Sequence, residues 1–239
     1  MKYAELVSED SVQSRPLYHG TYKANAAEKI MSDGFTVSDI QGKRSLAPMA
    51  GRVYMTPSLH YAIIYAIGGD YLGSTLDKPL RPDETYGYVF EISPDDLSAD
   101  VLPDEDVVGE ILTLSYEMNT KPNEEQSGEL ANELRNTADL IRTFAHMFNQ
   151  YTADVLPMRR AALDGEYHAW ARIGKRVLKK LDGTDPRIKA MLQLKTTHQS
   201  HRGDLAPTRA WRIDRRLTSQ LAKDGSNFFD VATKIYDRN

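Results

Sequence analysis

Tyr18-His19-Gly20-Thr21 and, 30 residues further on, Gly51-Arg52-Val53-Tyr54-Met55-Thr56-Pro57-Ser58 decide how this chain is read. Each segment is a short apolar and aromatic run set beside glycine. The first predicts a strand ending in a turn, and Arg52-Val53-Tyr54-Met55 predicts a second strand. Between them Ala27, Ile30 and Met31 fall at helical spacing over Ala24 to Asp33, and Gly34 is a natural stop. After the second strand, Thr56-Pro57 reads as N-cap plus N1 proline of a helix through Ala66 that stops at Gly68-Gly69.

Working outward, Tyr86-Gly87-Tyr88-Val89-Phe90-Glu91-Ile92 is the clearest strand, and Val107-Val108 with Ile111-Leu112 suggests another around Gly109. Residues 38–51 and 69–85 read as loops. Beyond Leu114 the pattern turns helical. Leu130, Leu134, Ala138, Ile141, Ala145 and Phe148 share one helical face, and Tyr167, Trp170, Val177, Leu178 and Leu181 suggest a second helix. Asp185-Pro186 can cap a third. Trp211-Arg212-Ile213 reads as a strand, and Phe228, Phe229, Val231, Ala232 and Ile235 as a terminal helix.

Composition bounds the chemistry. The 239 residues are 41% hydrophobic and 27% charged, enough for a real core in an ordinary water-soluble chain. With no Cys, disulfides, thiolate zinc sites and thiol catalysis are excluded, which suits a reducing cytoplasm. The N-terminus carries no signal-peptide pattern, and no apolar run reaches the roughly 18–20 residues that cross a bilayer, so no membrane partner is expected. Residues 151–239 hold 18 Lys/Arg against 10 Asp/Glu, whereas residues 1–150 hold 12 against 24. Such a split fits either halves that neutralise each other or a basic half that meets a phosphate backbone. No phosphate-loop, dinucleotide-fold or serine-elbow motif is present. His198-x-x-His201 lacks a third ligand nearby, so no metal is expected.

The His-Gly-Thr strand, the following helix, the Gly-x-x-Tyr strand and a second tyrosine, Tyr65, eleven residues after Tyr54 together resemble the ADP-ribosyltransferase superfamily of the His–Tyr–Glu type. The resemblance covers roughly residues 15–112. It implies an α+β fold with a small split mixed β-sheet core and an additional C-terminal helical region. The corresponding boundaries are a transferase-like core over 1–114, a helical insertion or module over 115–207, and 208–239 as a strand and helix returning to the core. It also implies NAD as co-substrate and no metal.

Residue by residue, the resemblance implies that His19 hydrogen-bonds the adenosine-side ribose and that Gly20 offers its backbone to the nicotinamide carboxamide. Thr21 would support the turn or reach the cofactor, and Tyr54 and Tyr65 would sandwich the nicotinamide ring. These residue types suit the chemistry. Cleaving the nicotinamide–ribose bond develops oxocarbenium-like charge, which a carboxylate favours, and a flat cationic ring stacks on aromatic faces. The family often has a serine eight residues after the first Tyr. Here that position is Ala62, and Ser58 is the serine one turn earlier.

For the acid, Glu105 precedes the β-branched pair Val107-Val108, and Glu110 follows Gly109. On a regular strand the two would face opposite ways, and both stay open, with Glu105 preferred. Arg172, Lys175, Arg176 and Lys179 fall so that several share a helical face, with Arg159, Arg160, Lys180, Arg209, Arg212, Arg215 and Arg216 adding charge; this fits either a solvated helix with core aromatics or a nucleic-acid contact on which Tyr167, Trp170 and Trp211 could stack bases. The expected function is transfer of one ADP-ribose from NAD⁺ to a macromolecule, nucleic acid favoured over protein. The resemblance extends to toxins of phage-defence and toxin–antitoxin systems, which need a neutralising antitoxin partner. A 2′-phosphotransferase of the same fold and a non-catalytic nucleic-acid-binding protein are the competing readings.

Overall fold

The structure is a computed structural model that describes residues 15–36, 51–68, 85–97, 101–122, 126, 128–135, 138–150, 168–181, 183–194, 197–221 and 226–238. The chain divides into two compact units. A sheet unit comprises Gln13–Ile40, Val53–Ser98 and His201–Asn239, and a helical unit comprises Met1–Val12, Gln41–Arg52 and Ala99–Ser200.

In the sheet unit, β1 (Leu17–Thr21) leads into α1 (Ala24–Asp33), which ends at Gly34 with φ 79°. Then come β2 (Arg52–Met55), α2 (Leu59–Ala66) and β3 (Tyr86–Ile92). Ser58, not Thr56, caps α2: its hydroxyl oxygen accepts from the Tyr61 backbone N–H at 3.4 Å. One serine acceptor aimed at an orphan helix donor outranks the Thr-Pro pair before it.

After the helical segment the chain returns as β6 (Arg209–Asp214), followed by the single turn α8 (Phe228–Val231) and β7 (Thr233–Asp237). The expected terminal helix is thus mostly a strand, because Thr233 to Asp237 pairs with β6. The four strands have the order β1-β3-β6-β7. The sheet expected to be mixed is antiparallel at every pairing, so β3 satisfies its backbone on both edges with antiparallel partners.

Strand alternation sorts this sheet into two faces. Leu17, Tyr88, Phe90, Ile92 and Ala210 join Ala27, Phe35, Val53, Met55 and Leu205 in one apolar cluster. Val89, Trp211 and Ile213 join Ala62, Ile63, Ala66 and Phe228 in the other. Cross-strand partners such as His19, Phe90 and Ala210 therefore share a face.

The helical unit opens on β4 (Val101–Pro103) and α3 (Glu105–Thr120) and continues through α4 (Glu129–Arg135), α5 (Ala138–Gln150), α6 (His168–Leu178) and α7 (Pro186–Gln193). β5 (Gln199–Arg202) follows α7.

The strand expected around Gly109 is a helix. Val107, Val108, Ile111, Leu112 and Ser115 are all buried, at intervals that fit 3.6 residues per turn as well as a short strand run. Asp104 resolves the ambiguity as N-cap, its carboxylate accepting from Asp106 N–H at 3.2 Å. The single helix face expected over 130–148 is split between α4 and α5, with Leu134, Phe144, Met147 and Phe148 fully buried. A Cβ on Gly174 would lie 1.9 Å from the Glu105 carbonyl oxygen, so α6 packs backbone to backbone on the first turn of α3.

That first turn concentrates acid. Burial, then the charges of Glu105 and Glu110, raises the Asp106 pKa to about 6, against a counter-pull from Lys175. One of its carboxylate oxygens is buried without a hydrogen-bond partner. Because the folded pKa lies above the unfolded value of 3.8, the stabilisation tied to protonation is complete below pH 3.8 and lost as pH rises through 6. Asp106→Asn removes this titration. The variant should gain about 1–3 kcal/mol relative to the parent between pH 4 and pH 8, measured as the difference of their urea midpoints. A difference that does not change with pH refutes the assignment.

Candidate functional site

The expected His and first Tyr meet through a backbone contact. His19 Nδ1 lies 3.0 Å from the carbonyl oxygen of Tyr54, which joins the end of β1 to β2 inside the sheet unit. A carbonyl can only accept, so Nδ1 carries the hydrogen and donates it. Burial lowers the His19 pKa, and the bond to Tyr54 opposes that only in part. At neutral pH the ring is therefore uncharged, with its Nε2 lone pair as an acceptor. The ring is also fixed edge-on against Phe35, the centroids 5.1 Å apart. This is an imidazole of set tautomer and set orientation, suited to receiving a hydrogen-bond donor at Nε2.

The hydrogen bonds Tyr18 N–H to Thr56 O and Thr56 N–H to Tyr18 O, both 2.8 Å, hold the two segments side by side. Val53 and Met55 enter the core, so the Tyr54 side chain leaves on the opposite side of β2 and is half-buried. Tyr65 lies on α2, whose Ala62, Ile63 and Ala66 are buried, and it is 46% exposed. It is a surface tyrosine rather than a packing residue.

Gly20 has a structural reason that the sequence did not reveal. A Cβ there would fall 1.9 Å from the Ala62 carbonyl oxygen and 2.9 Å from Ala66 N, and one on Gly87 would fall 2.3 Å from Ala66 O. The two glycines form a flat seat on which the backbone of α2 rests. Ala62, found where the family often has serine, is fully buried at this seat. Ser58 spends its oxygen on the helix cap, which leaves its hydroxyl proton to donate. Thr21 accepts from Lys23 N–H at 3.2 Å and so supports the turn after β1.

Glu105 and Glu110 lie on α3, in the helical unit. Glu105 is buried, and burial, then the charges of Asp106 and Glu105, raises the Asp104 pKa well above normal. Glu110 is exposed. Helix geometry, not strand parity, sets the directions of both side chains.

On α6, Arg172, Arg176 and, just beyond its end, Lys179 are exposed, while Lys175 is half-buried and acts on Asp106. The fourfold basic face is thus three exposed cations and one that serves the acidic turn of α3. Trp211 is 7% exposed and packs on Phe228 and Phe229, at 6.5 and 5.0 Å, so it is core rather than a base-stacking platform. The side chain of Trp170, and all of Tyr167, Arg159 and Arg160, lie outside the described residues. Among the described residues no cluster of three or more His, Cys, Asp or Glu could hold a metal.

No protein-family model, curated protein or solved structure matches this chain.

If Gly20 is a packing position first, Gly20→Ala should cost about 3 kcal/mol of stability, because the backbone of α2 cannot yield as a side chain could. Thermal melting should fall by about 6–12 °C. A melting point within a degree of the parent would show that α2 does not rest on β1.

Proposed function

We propose that the sheet unit binds NAD⁺ at His19 and Tyr54 and that the protein transfers one ADP-ribose to a macromolecular acceptor, with nucleic acid favoured over protein. The observation that carries this reading is the His19–Tyr54 bond. It presets a neutral imidazole with an acceptor nitrogen at the place where the resemblance requires a ribose contact. In the reaction the bond from ribose C1′ to the nicotinamide nitrogen breaks. Nicotinamide leaves with the electron pair, and an acceptor nucleophile forms the new bond to C1′ and gives up its proton to a base. His19 and Gly20 hold the nucleotide, and Tyr54 and Tyr65 supply the aromatic faces against which the cationic ring stacks. Glu105 and Glu110 enter as the acid through the resemblance alone. The neutralising partner of the toxin reading rests on the same resemblance.

The basic surface supports the nucleic-acid preference. Arg172, Arg176 and Lys179 are exposed on one helix and its end, a natural contact for a phosphate backbone.

Incubation with NAD⁺ labelled in its adenylate phosphate, together with total RNA, DNA or cell lysate, tests the reading. Label should move into nucleic acid, and His19→Ala and Tyr54→Ala should each cut it by about tenfold or more. Full labelling by both variants removes the site. Label confined to protein replaces the acceptor. Tight nucleic-acid binding with no transfer supports a binding protein instead. Reversing Arg172, Arg176 and Lys179 to Glu should depress polymer labelling while leaving NAD⁺ hydrolysis intact; equal loss of both would dismiss this surface as an acceptor guide. Because burial depresses the His19 pKa, activity should be flat above pH 6.5 and fall only on acidification below it, in step with the imidazole titration followed by NMR.

A further inference from the structure

Within the helical unit, α5 and the start of α7 flank an open groove of about 500 Å³, lined among the described residues by Arg142, Thr143, His146, Asp185, Pro186 and Arg187. Arg142, His146 and Gln150 recur every four residues, so they lie along one stripe of α5. A chain of hydrogen bonds stiffens the groove. The two oxygens of the Asp185 carboxylate accept from Nε and Nη2 of Arg187 at 2.9 and 2.7 Å, and Asp185 also caps α7 at the Arg187 backbone N–H. Arg187 Nη1 donates to Gln150 Oε1 at 3.1 Å, and Gln150 Nε2 lies 3.2 Å from His146 Nε2. The arginine bond fixes which end of the Gln150 amide is oxygen, and an amide nitrogen only donates. His146 Nε2 therefore accepts, and Nδ1 carries the hydrogen.

The two arginines are held differently. Arg187 and Asp185 are mostly shielded, with side chains 27% and 18% exposed, and their bidentate pairing neutralises the guanidinium and fixes its plane. An arginine held this way offers a ligand a rigid flat face more than a charge. Arg142 pairs with Asp139 on its own helix, and those side chains are 71% and 49% exposed. Such a pair contributes little, so Arg142 can turn to another anion at small cost. The groove thus combines planar groups at Arg187 and His146 with one movable cation. A heteroaromatic ring joined to an anion matches both, and the volume is that of a small-molecule site. One movable cation suits the single charge of a phosphodiester better than the multiple charges of a free nucleotide, and an open groove lets a strand enter and leave.

We propose that this groove holds one unpaired nucleotide of a single-stranded nucleic acid, its base stacked against Arg187 and His146 and its phosphodiester on Arg142. The inference names the part of the acceptor that the helical unit grips. It rests on the nucleic-acid preference of the proposed function and not on the NAD⁺ chemistry. Bases paired and stacked in a duplex cannot enter such a groove, whereas an unpaired base can be splayed out and laid on guanidinium and imidazole planes.

Fluorescence anisotropy of the full chain, without NAD⁺, tests it with a short labelled oligoadenylate and an abasic strand of the same length. The variants are Arg187→Lys, which keeps a charge beside Asp185 and loses the planar fork, His146→Ala and Arg142→Gln, each checked by thermal melting. The parent should bind the oligoadenylate about five- to a hundredfold more tightly than the abasic strand. Arg187→Lys and His146→Ala should each shrink that preference while leaving abasic binding unchanged. Arg142→Gln should weaken both strands alike and lower the salt slope by about one. Equal affinity of the parent for the two strands overturns the proposal, as does a base preference that survives in both Arg187→Lys and His146→Ala. If Arg187→Lys melts early, His146→Ala decides, because that side chain is exposed on α5. A base preference with no ADP-ribose transfer keeps the groove and removes the transferase reading; transfer to nucleic acid with no base preference does the reverse.

Discussion

Helix α2 rests on bare backbone. The absence of side chains at Gly20 and Gly87 lets the carbonyls of Ala62 and Ala66 come within van der Waals distance of β1 and β3. That close seat fixes the helix that immediately follows β2, and with it the path by which β2 meets β1. The Tyr18–Thr56 backbone pair and the His19–Tyr54 bond lie along the same join. A side chain at either glycine would lift the helix and loosen the geometry that orients the imidazole. A loss of activity at Gly20 would therefore report packing as much as any contact with a ligand.

Within the helical unit the same device recurs. Gly174 allows α6 to press on the first turn of α3, where Asp104, Glu105 and Asp106 are crowded. Burial there is electrostatically costly, as the upward shifts at Asp104 and Asp106 show, and Lys175 offsets part of it. His198, in the same unit, is shifted the other way by burial, to about 4. It disfavours folding as pH falls below 6.5 toward that value, while Asp106 disfavours folding as pH rises through 6, so the two narrow the stable range from both sides.

The cations of the sheet unit divide by environment rather than by number. Where a carboxylate lies across the strand, as for Arg209, the charge holds strands together; where an aromatic ring lies near instead, as for Arg212, the guanidinium rests over its face. Counting Lys and Arg along the chain cannot make this distinction, because cross-strand neighbours are remote in sequence.

The sequence by itself determined the local elements whose signals are redundant. The strands at Leu17–Thr21, Arg52–Met55 and Tyr86–Ile92, and the helix Ala24–Asp33 with its glycine stop, each follow from side-chain period and punctuation acting over a few residues. Short apolar runs were ambiguous. Val107-Val108 and Ile111-Leu112 fit a strand or a helix, and only the Asp104 cap and burial under α6 selected the helix. Likewise Ile235 reads as helix until β6 offers it a partner strand. The pairing of His19 with the Tyr54 carbonyl and the packing role of Gly20 were decided by tertiary structure alone. Each depends on register between segments tens of residues apart, which no local propensity encodes.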